Sequence, residues 1–161
     1  MTTYEINEET LAVIPNNNNS AIIYEEDRSF IVDKSADDIM EESCEYFGSS
    51  LKGRQSGTTA LTGITHKVPI IIEESSNIIF FPTTSPRLKS CCWVALNNIV
   101  SYSKENNVCK ITFNDGKNIT FDASYGIINN QVLRASRLQM ILDSRKRKKT
   151  QQISKKDNKV A

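Results

Sequence analysis

Residues 43–87 of the chain read SCEYFGSSLKGRQSGTTALTGITHKVPIIIEESSNIIFFPTTSPR. Two short apolar runs, 70–72 and 78–81, are flanked by glycine, proline and serine, a pattern typical of β-strands between loops. Basic side chains lie beside the turn-forming residues, where they project from a scaffold instead of filling it. They are Lys52, Arg54, His66, Lys67 and Arg87. The stretch therefore predicts two strands and a positively charged surface of loops.

A helix is predicted over about 35–47, just before and into this stretch. Ser35 supplies an N-cap oxygen, and two aspartates follow in the first turn, where the helix dipole favours negative charge. Gly48 can adopt the left-handed conformation that ends a helix. Apolar residues recur between them at helical spacing, namely Met40, Cys44 and Phe47.

The remaining pattern predicts an α+β fold, a mainly antiparallel sheet domain with a second helix at about 124–143. The turn Asp115-Gly116 is the strongest hairpin signal, because both residues tolerate positive φ. Ser124 can cap the last helix, and residues 49–57 are predicted to form a loop rich in glycine and serine. Strands are expected at 4–6, 10–14, 21–24, 30–32, 61–65, 70–72, 78–81, 93–96, 99–103, 108–113 and 118–121.

One domain is predicted over residues 1–144, followed by a basic disordered tail over 145–161. The tail reads RKRKKTQQISKKDNKVA, with eight basic residues, one acidic residue and no apolar period. The formal net charge of +1 hides a division of charge along the chain. Residues 1–48 hold 12 acidic and two basic residues, a net charge of −10, and the rest carries +11. This division indicates nucleic-acid or membrane contact, or an acidic and a basic face that attract each other within the fold.

Catalysis and metal binding find little support in the sequence. Cys44 and the only histidine, His66, could form a thiolate–imidazole pair, but Cys44 lies on an apolar helix face, where cysteine behaves as a small hydrophobe. The cysteines lack the paired spacing of zinc ligands, and the glycines match no nucleotide-binding loop. We expect no enzyme, no metal and no cofactor.

The chain shows no apolar run near the roughly 18–20 residues that span a bilayer, and its start lacks a signal peptide's apolar stretch. We expect a cytoplasmic protein without membrane contact, whose four cysteines are reduced thiols.

The basic residues of the turn-rich stretch are the candidate binding site. Each one alone could be an ordinary solvated charge, but their joint occurrence favours contact with phosphates, to which neighbouring serine and threonine hydroxyls can also donate. Trp93 and Phe80 are predicted to be core residues and not platforms for stacked bases. The candidate DNA-binding residues are Lys52, Arg54, His66, Lys67, Arg87 and Lys89, with Arg134 and Arg137 as second choices.

Four sequence strings resemble the ComK family of bacterial competence transcription factors. They are SCxxFGSSxxGRxxGT from Ser43, ITHKxPIxI from Ile64, NxIFxFPTxSxxR from Asn77 with one residue of drift, and CxW from Cys91 to Trp93. The resemblance covers roughly residues 4–142 and is densest from Ser43 to Trp93. Family members have a longer C-terminal region, where this chain has its lysine-rich tail.

The resemblance implies a transcriptional activator of DNA-uptake genes. Such activators bind paired A/T-rich boxes of double-stranded promoter DNA, mainly through the minor groove, as dimers that pair into a tetramer. The resemblance further implies recruitment or stabilisation of RNA polymerase, and control by the adaptor MecA with a Clp protease. The alternative is a regulatory protein-interaction module of the same family that does not contact DNA. The acidic first 48 residues favour that alternative, because they could dock on a basic partner.

Overall fold

Nine strands and three α-helices form the part of the chain that the computed structural model describes, residues 1–160 with side chains through Asp157. The strands are β1 (Thr10–Asn17), β2 (Ser20–Glu25), β3 (Arg28–Val32), β4 (Ile70–Glu73), β5 (Ile78–Pro82), β6 (Trp93–Ala95), β7 (Ile99–Glu105), β8 (Val108–Phe113) and β9 (Asn118–Phe121). The helices are α1 (Ala36–Tyr46), α2 (Leu51–Thr62) and α3 (Tyr125–Val160). The predicted α+β class is confirmed.

The strands form two antiparallel sheets. A six-stranded sheet has the order β3-β2-β1-β6-β5-β4, and a three-stranded sheet has the order β7-β8-β9. The short strand β6 lies at the centre of the larger sheet, where Trp93 pairs with Val13 of β1 and with Pro82 of β5. This strand thereby joins the N-terminal strands to the pair predicted at 70–72 and 78–81.

The central strands of the six-stranded sheet are buried on both faces. Because side chains alternate across a strand, Phe80 and Trp93 pack in the layer under α1, whereas Phe81 and Val94 pack against the three-stranded sheet and α3. Trp93 and Phe80 are fully buried, which confirms their prediction as core residues. The fold therefore has two apolar layers that share one sheet.

The predicted helix starts and hairpins are confirmed where local signals were clear. The hydroxyl of Ser35 accepts the N–H of Asp38 at 3.1 Å, and that of Ser124 accepts the N–H of Ile127 at 3.2 Å. Gly116, at φ 86°, lies in the turn between β8 and β9.

Helix α2 corrects two predictions. Residues 51–57 of the predicted loop 49–57 are helical, and the predicted strand 61–65 is instead the end of this helix at 61–62 followed by an irregular segment. The N-cap Ser50 accepts the N–H of Gly53 at 2.9 Å. Tertiary contact overrides the glycine-rich composition, since the buried hydroxyl of Thr58 donates to the carbonyl of Pro69 at 2.6 Å. The predicted strand 4–6 is also wrong, because these residues pair with neither sheet; instead, Ile6 N–H donates to the Ser43 hydroxyl at 3.1 Å.

Helix α3 continues to Val160, beyond the predicted end at about 143 and through residues for which disorder was predicted. Lysine, arginine and glutamine are good helix formers, and no glycine or proline interrupts the extension. Lys146 also anchors it by donating to the carbonyl of Glu74 at 2.7 Å and to the side chain of Asn77 at 2.9 Å. Ala161, the last residue of the predicted tail, lies outside the described residues. The domain boundary at residue 144 stays a prediction.

Candidate nucleic-acid interface

An open groove of about 840 Å³ lies between the outer face of α2 and two loops. We call it the basic groove. It is lined by Lys52, Gln55, Ser56 and Thr59 of α2, by residues 65–68, and by residues 85–87.

The helix side of the groove follows from the register of α2. Its lining residues lie three, four and seven positions after Lys52, so they share one face of the helix. The buried Thr58 and Thr62 lie on the neighbouring face and pack against the rest of the fold. The helix ends at Gly63, whose φ of 78° is left-handed and whose N–H donates to the carbonyl of Thr59 at 2.8 Å. Gln55 was not predicted as a site residue, because the glycine- and serine-rich composition of this segment favours a loop. The N-cap Ser50 was the signal that could have revealed the helix.

The loop 65–68 carries the strained residue Lys67. Its φ of 48° is uncommon for a residue with a β-carbon. Val68 and Pro69 behind it are buried, whereas Thr65 and His66 are exposed. Packing therefore holds this backbone in a conformation that an isolated lysine would avoid.

The second loop, between β5 and β6, is closed by hydrogen bonds at its base and in its middle. Thr83 N–H donates to the carbonyl of Cys92 at 2.9 Å, and Cys92 N–H donates back to the Thr83 hydroxyl at 3.1 Å. In the middle, Leu88 N–H donates to the carbonyl of Ser85 at 3.0 Å. The loop is thus a constrained support for the residues at its tip.

The tip of this loop places an apolar side chain between two cations. Leu88 is 52% exposed and lies between the exposed Arg87 and Lys89. The two basic residues were predicted from the sequence as site residues, and Leu88 was not. The available signal was a single large apolar residue in a polar loop.

Behind the groove, α3 holds both loops through Gln131 and Arg134. The amide nitrogen of the fully buried Gln131 donates to the carbonyls of Lys67 at 2.9 Å and Pro82 at 2.7 Å. Arg134 donates to the amide oxygen of Gln131 and to the carbonyl of His66, each at 2.8 Å. Burial lowers the pKa of the Arg134 guanidinium.

The structure brings together four of the predicted site residues and separates the rest. Lys52, His66, Lys67 and Arg87 line the basic groove. The other four do not line it, and for all eight residues the assignment as DNA contacts stays a prediction. Arg54 makes a long 3.5 Å hydrogen bond to the carbonyl of Ile72, Lys89 lines a separate cavity of about 110 Å³, Arg134 lies behind the loops, and Arg137 is exposed on α3.

A second groove, of about 930 Å³, has the opposite charge, and no residue lines both grooves. We call it the acidic groove. Tyr46, 67% exposed, packs edge-on against Phe47 at its border, with 5.0 Å between ring centroids. Hydrogen bonds, chiefly from the Ser75 hydroxyl, lower the pKa of Glu73 to about 2. The acidic residues that line it are Glu5, Glu8, Glu9, Glu25 and Glu73.

The cysteines lie apart from both grooves. Cys44 lies on the buried face of α1, and burial raises the pKa of its thiol to about 11. Cys91 and Cys92 pack in different apolar layers, and burial raises the pKa of each thiol. Thiolates are therefore scarce at neutral pH. Within residues 1–160, no three His, Cys, Asp or Glu side chains are placed to share a metal ion, and no helix is apolar over the length that crosses a membrane.

A basic groove lined with hydroxyl groups is suited to an anionic polymer, and comparison with known proteins defines the class. The chain is 36% identical over 137 residues to the competence transcription factor of Bacillus subtilis (strain 168), covering 83% of this chain and 71% of that protein. This likeness supports a transcriptional regulator of competence. Membership of this class implies that the protein is not an enzyme. Residues 1–147 match the family described as ComK protein, so the chain belongs to the ComK family and the predicted resemblance is confirmed. No solved structure matches the chain.

Proposed function

We propose that the chain is an activator that binds A/T-rich promoter DNA in its basic groove, chiefly through the minor groove of the duplex. The observation that carries this proposal is the convergence of Lys52, His66, Lys67 and Arg87 on one groove. Basic side chains are attracted by the negatively charged phosphates of DNA, and the hydroxyl groups of α2 can donate hydrogen bonds to phosphate oxygens.

The tip of the second loop supports minor-groove contact. Narrow A-tract minor grooves concentrate negative potential that attracts arginine and lysine, and minor-groove binders often insert an apolar side chain between base steps. Arg87, Leu88 and Lys89 supply these two chemistries side by side on an exposed loop. Minor-groove edges distinguish A·T from G·C but little else, so a preference for A/T-rich boxes is what such a surface can achieve.

Further parts of the proposal rest on family membership. They are assembly as dimers that pair into a tetramer on DNA, recruitment of RNA polymerase, delivery by the adaptor MecA to a Clp protease, and a cytoplasmic location. Footprinting on a promoter with two A/T-rich boxes tests the assembly, and protection of only one box would contradict it.

The binding surface is tested by titrating an A/T-rich and a G/C-rich duplex at several salt concentrations. We expect tighter binding to the A/T-rich duplex. Lys52→Ala and Arg87→Ala should each weaken binding and reduce the salt slope by about 0.9. The matched control is Lys104→Ala, which removes an exposed lysine of β7 outside the groove. Equal affinity for both duplexes would refute the sequence preference, and unchanged binding by both groove variants would refute the site.

A second candidate function, a regulatory module that binds a basic protein partner and not DNA, is favoured by the acidic groove. Its glutamates and the exposed Tyr46 suit a lysine- or arginine-rich segment, because an aromatic face attracts cations. This candidate would be favoured if the protein caused no gel shift of DNA at low salt and bound a basic peptide that Tyr46→Ala no longer binds. Tyr46→Phe serves as the control because it keeps the aromatic ring.

A further inference from the structure

We propose that Gln131 and Arg134 are positioning residues, which hold the two loops of the basic groove in their DNA-binding arrangement and contact no phosphate themselves. This inference rests on the proposed DNA-binding function. It also gives Arg134 a different role from the DNA contact that its charge predicts.

Gln131 connects both groove loops to α3. Its amide nitrogen uses its two hydrogens on two carbonyls, that of Lys67 in the first loop and that of Pro82 at the start of the second. The side chain is fully buried, so it cannot reach DNA without unfolding of its surroundings. Because one amide group binds the first loop and the last residue of β5, where the second loop begins, it fixes the distance between the bases of the two loops that line the groove.

Arg134 completes this arrangement from the other side of the amide. One terminal nitrogen of its guanidinium donates to the oxygen of Gln131 and the other to the carbonyl of His66, each at 2.8 Å. The guanidinium thus orients the amide of Gln131 and binds the residue before Lys67. Both of its terminal nitrogens donate to protein acceptors, and the side chain is partly buried. A lysine in its place would keep the charge but could not reproduce two bonds in these directions.

The strain at Lys67 explains why the first loop needs this support. A lysine with a φ of 48° adopts a disfavoured backbone conformation, which persists only where neighbouring groups over-determine it. Here the carbonyl of Lys67 and that of the preceding His66 are both held, by Gln131 and Arg134 respectively. Without these bonds, we expect the backbone of the loop to relax and to move the charged group of Lys67 away from its position in the basic groove.

Gln131→Met tests the first residue, because methionine fills a similar volume without donors. We expect DNA affinity to fall about tenfold, or 1.4 kcal/mol, with an unchanged salt slope, and faster amide hydrogen exchange in residues 65–68. The control is Asn130→Met at the exposed neighbouring position of α3, which should change neither quantity. Unaltered exchange and unaltered affinity in Gln131→Met would overturn the proposal.

Arg134→Lys and Arg134→Met separate positioning from direct contact. A positioning arginine predicts the same roughly tenfold loss in both variants, with the wild-type salt slope in each. A phosphate contact predicts the opposite: Arg134→Lys binds like the wild type, while Arg134→Met lowers the slope by about 0.9. That second outcome would overturn the role given to Arg134.

Two failures remain distinguishable. If the wild-type protein binds no duplex, the proposed function fails, and hydrogen exchange in residues 65–68 still decides whether Gln131 and Arg134 hold the loop. If Gln131→Met does not fold, the proposal is tested with Arg134→Lys and Arg134→Met instead, because Arg134 is only half-buried. Unchanged exchange in both Arg134 variants would then refute the proposal.

Discussion

Lys67 combines a charge proposed to face DNA with a backbone conformation that favours glycine. Its φ is 48°. Lys67→Gly and Lys67→Ala both remove the charge, so both should weaken DNA binding equally. Only glycine relieves the left-handed strain, and we expect Lys67→Gly to be about 1 kcal/mol more stable to unfolding than Lys67→Ala. Urea denaturation of the pair measures this difference, and equal stabilities would mean that the backbone is unstrained.

Glu25 gives the folded state a dependence on acid pH. This carboxylate is 1% exposed and accepts hydrogen bonds from Tyr4 and Arg28, each at 2.5 Å, and from Asn7 at 3.3 Å. Burial alone would raise its pKa, but the hydrogen bonds outweigh burial and hold the pKa below its ordinary value. Its stabilisation is therefore complete above the unfolded-state pKa of about 4.3 and is lost as pH falls through the lower folded-state pKa.

We expect Glu25→Gln to lower the free energy of unfolding by about 2 kcal/mol at neutral pH and to flatten its decline in acid. Tyr4→Phe removes one of the three donors, so it should move the acid decline toward higher pH. Urea unfolding measured across the acid range gives both results. An acid limb in Glu25→Gln as steep as that of the wild type would contradict the assignment.

Among the elements, α2 offers a matched pair of glycines that tests whether residues 51–62 are helical. A β-carbon at Gly57 or at Gly63 would meet nothing within 4 Å, so the two sites differ in backbone conformation and not in space. Gly57 lies inside the helix, where Gly57→Ala should stabilise the protein by roughly 0.5–1 kcal/mol. Gly63 has a φ of 78°, so Gly63→Ala should destabilise it by about 1 kcal/mol. Thermal unfolding measures both changes in stability. If residues 51–62 formed a loop, the two substitutions would not change stability in opposite directions.

The extension of α3 is an element that carries charge with little packing, since residues 147–157 are exposed. Proline inside a helix costs about 3 kcal/mol or more locally. We therefore expect Gln151→Pro to reduce the helical signal in circular dichroism while the unfolding of the core is unchanged. Gln151→Ala should keep or increase that signal. A disordered extension would give the same spectrum for both variants.

At the scale of the whole molecule, the two apolar layers should unfold together because they share the six-stranded sheet. The only tryptophan, Trp93, reports on the layer under α1, and Phe113 belongs to the other layer. Phe113→Ala should cost about 3–5 kcal/mol and move the Trp93 fluorescence transition to the same urea concentration as the circular dichroism transition. A shift in dichroism without a shift in fluorescence would show that the layers unfold independently.

How far the sequence predicts this molecule depends on whether the signal is local. Ser35 and Asp115-Gly116 act on their immediate neighbours, so α1 and the β8–β9 hairpin could be read directly. Helix α2 could not, because its glycines favour a loop and its stability comes from Thr58 binding the carbonyl of Pro69. Gln131 gave no signal at all. Its partners lie 64 and 49 residues away along the chain, a proximity that only the fold creates.

The sequence predicts that a basic site exists, but it does not predict which of the basic residues line the groove. Charge beside turn residues identified Lys52, Lys67 and Arg87, which the fold does bring together. The same rule named Arg54, which lies two residues from Lys52 on a helix and therefore points to a different side of it. Separating the two required the helical register, and the loop prediction concealed that register.

The burial of the larger sheet's central strands on both faces also bears on how related sequences can diverge. Nearly every position of these strands is committed to packing, so substitution there changes stability before it changes anything else. The outer face of α2 and the two loop tips carry no such constraint, because exposed substitutions usually alter stability by no more than about 0.5 kcal/mol. Descendants of one ancestral gene can therefore change the surface proposed to bind DNA at a few positions while inheriting the sheet unchanged.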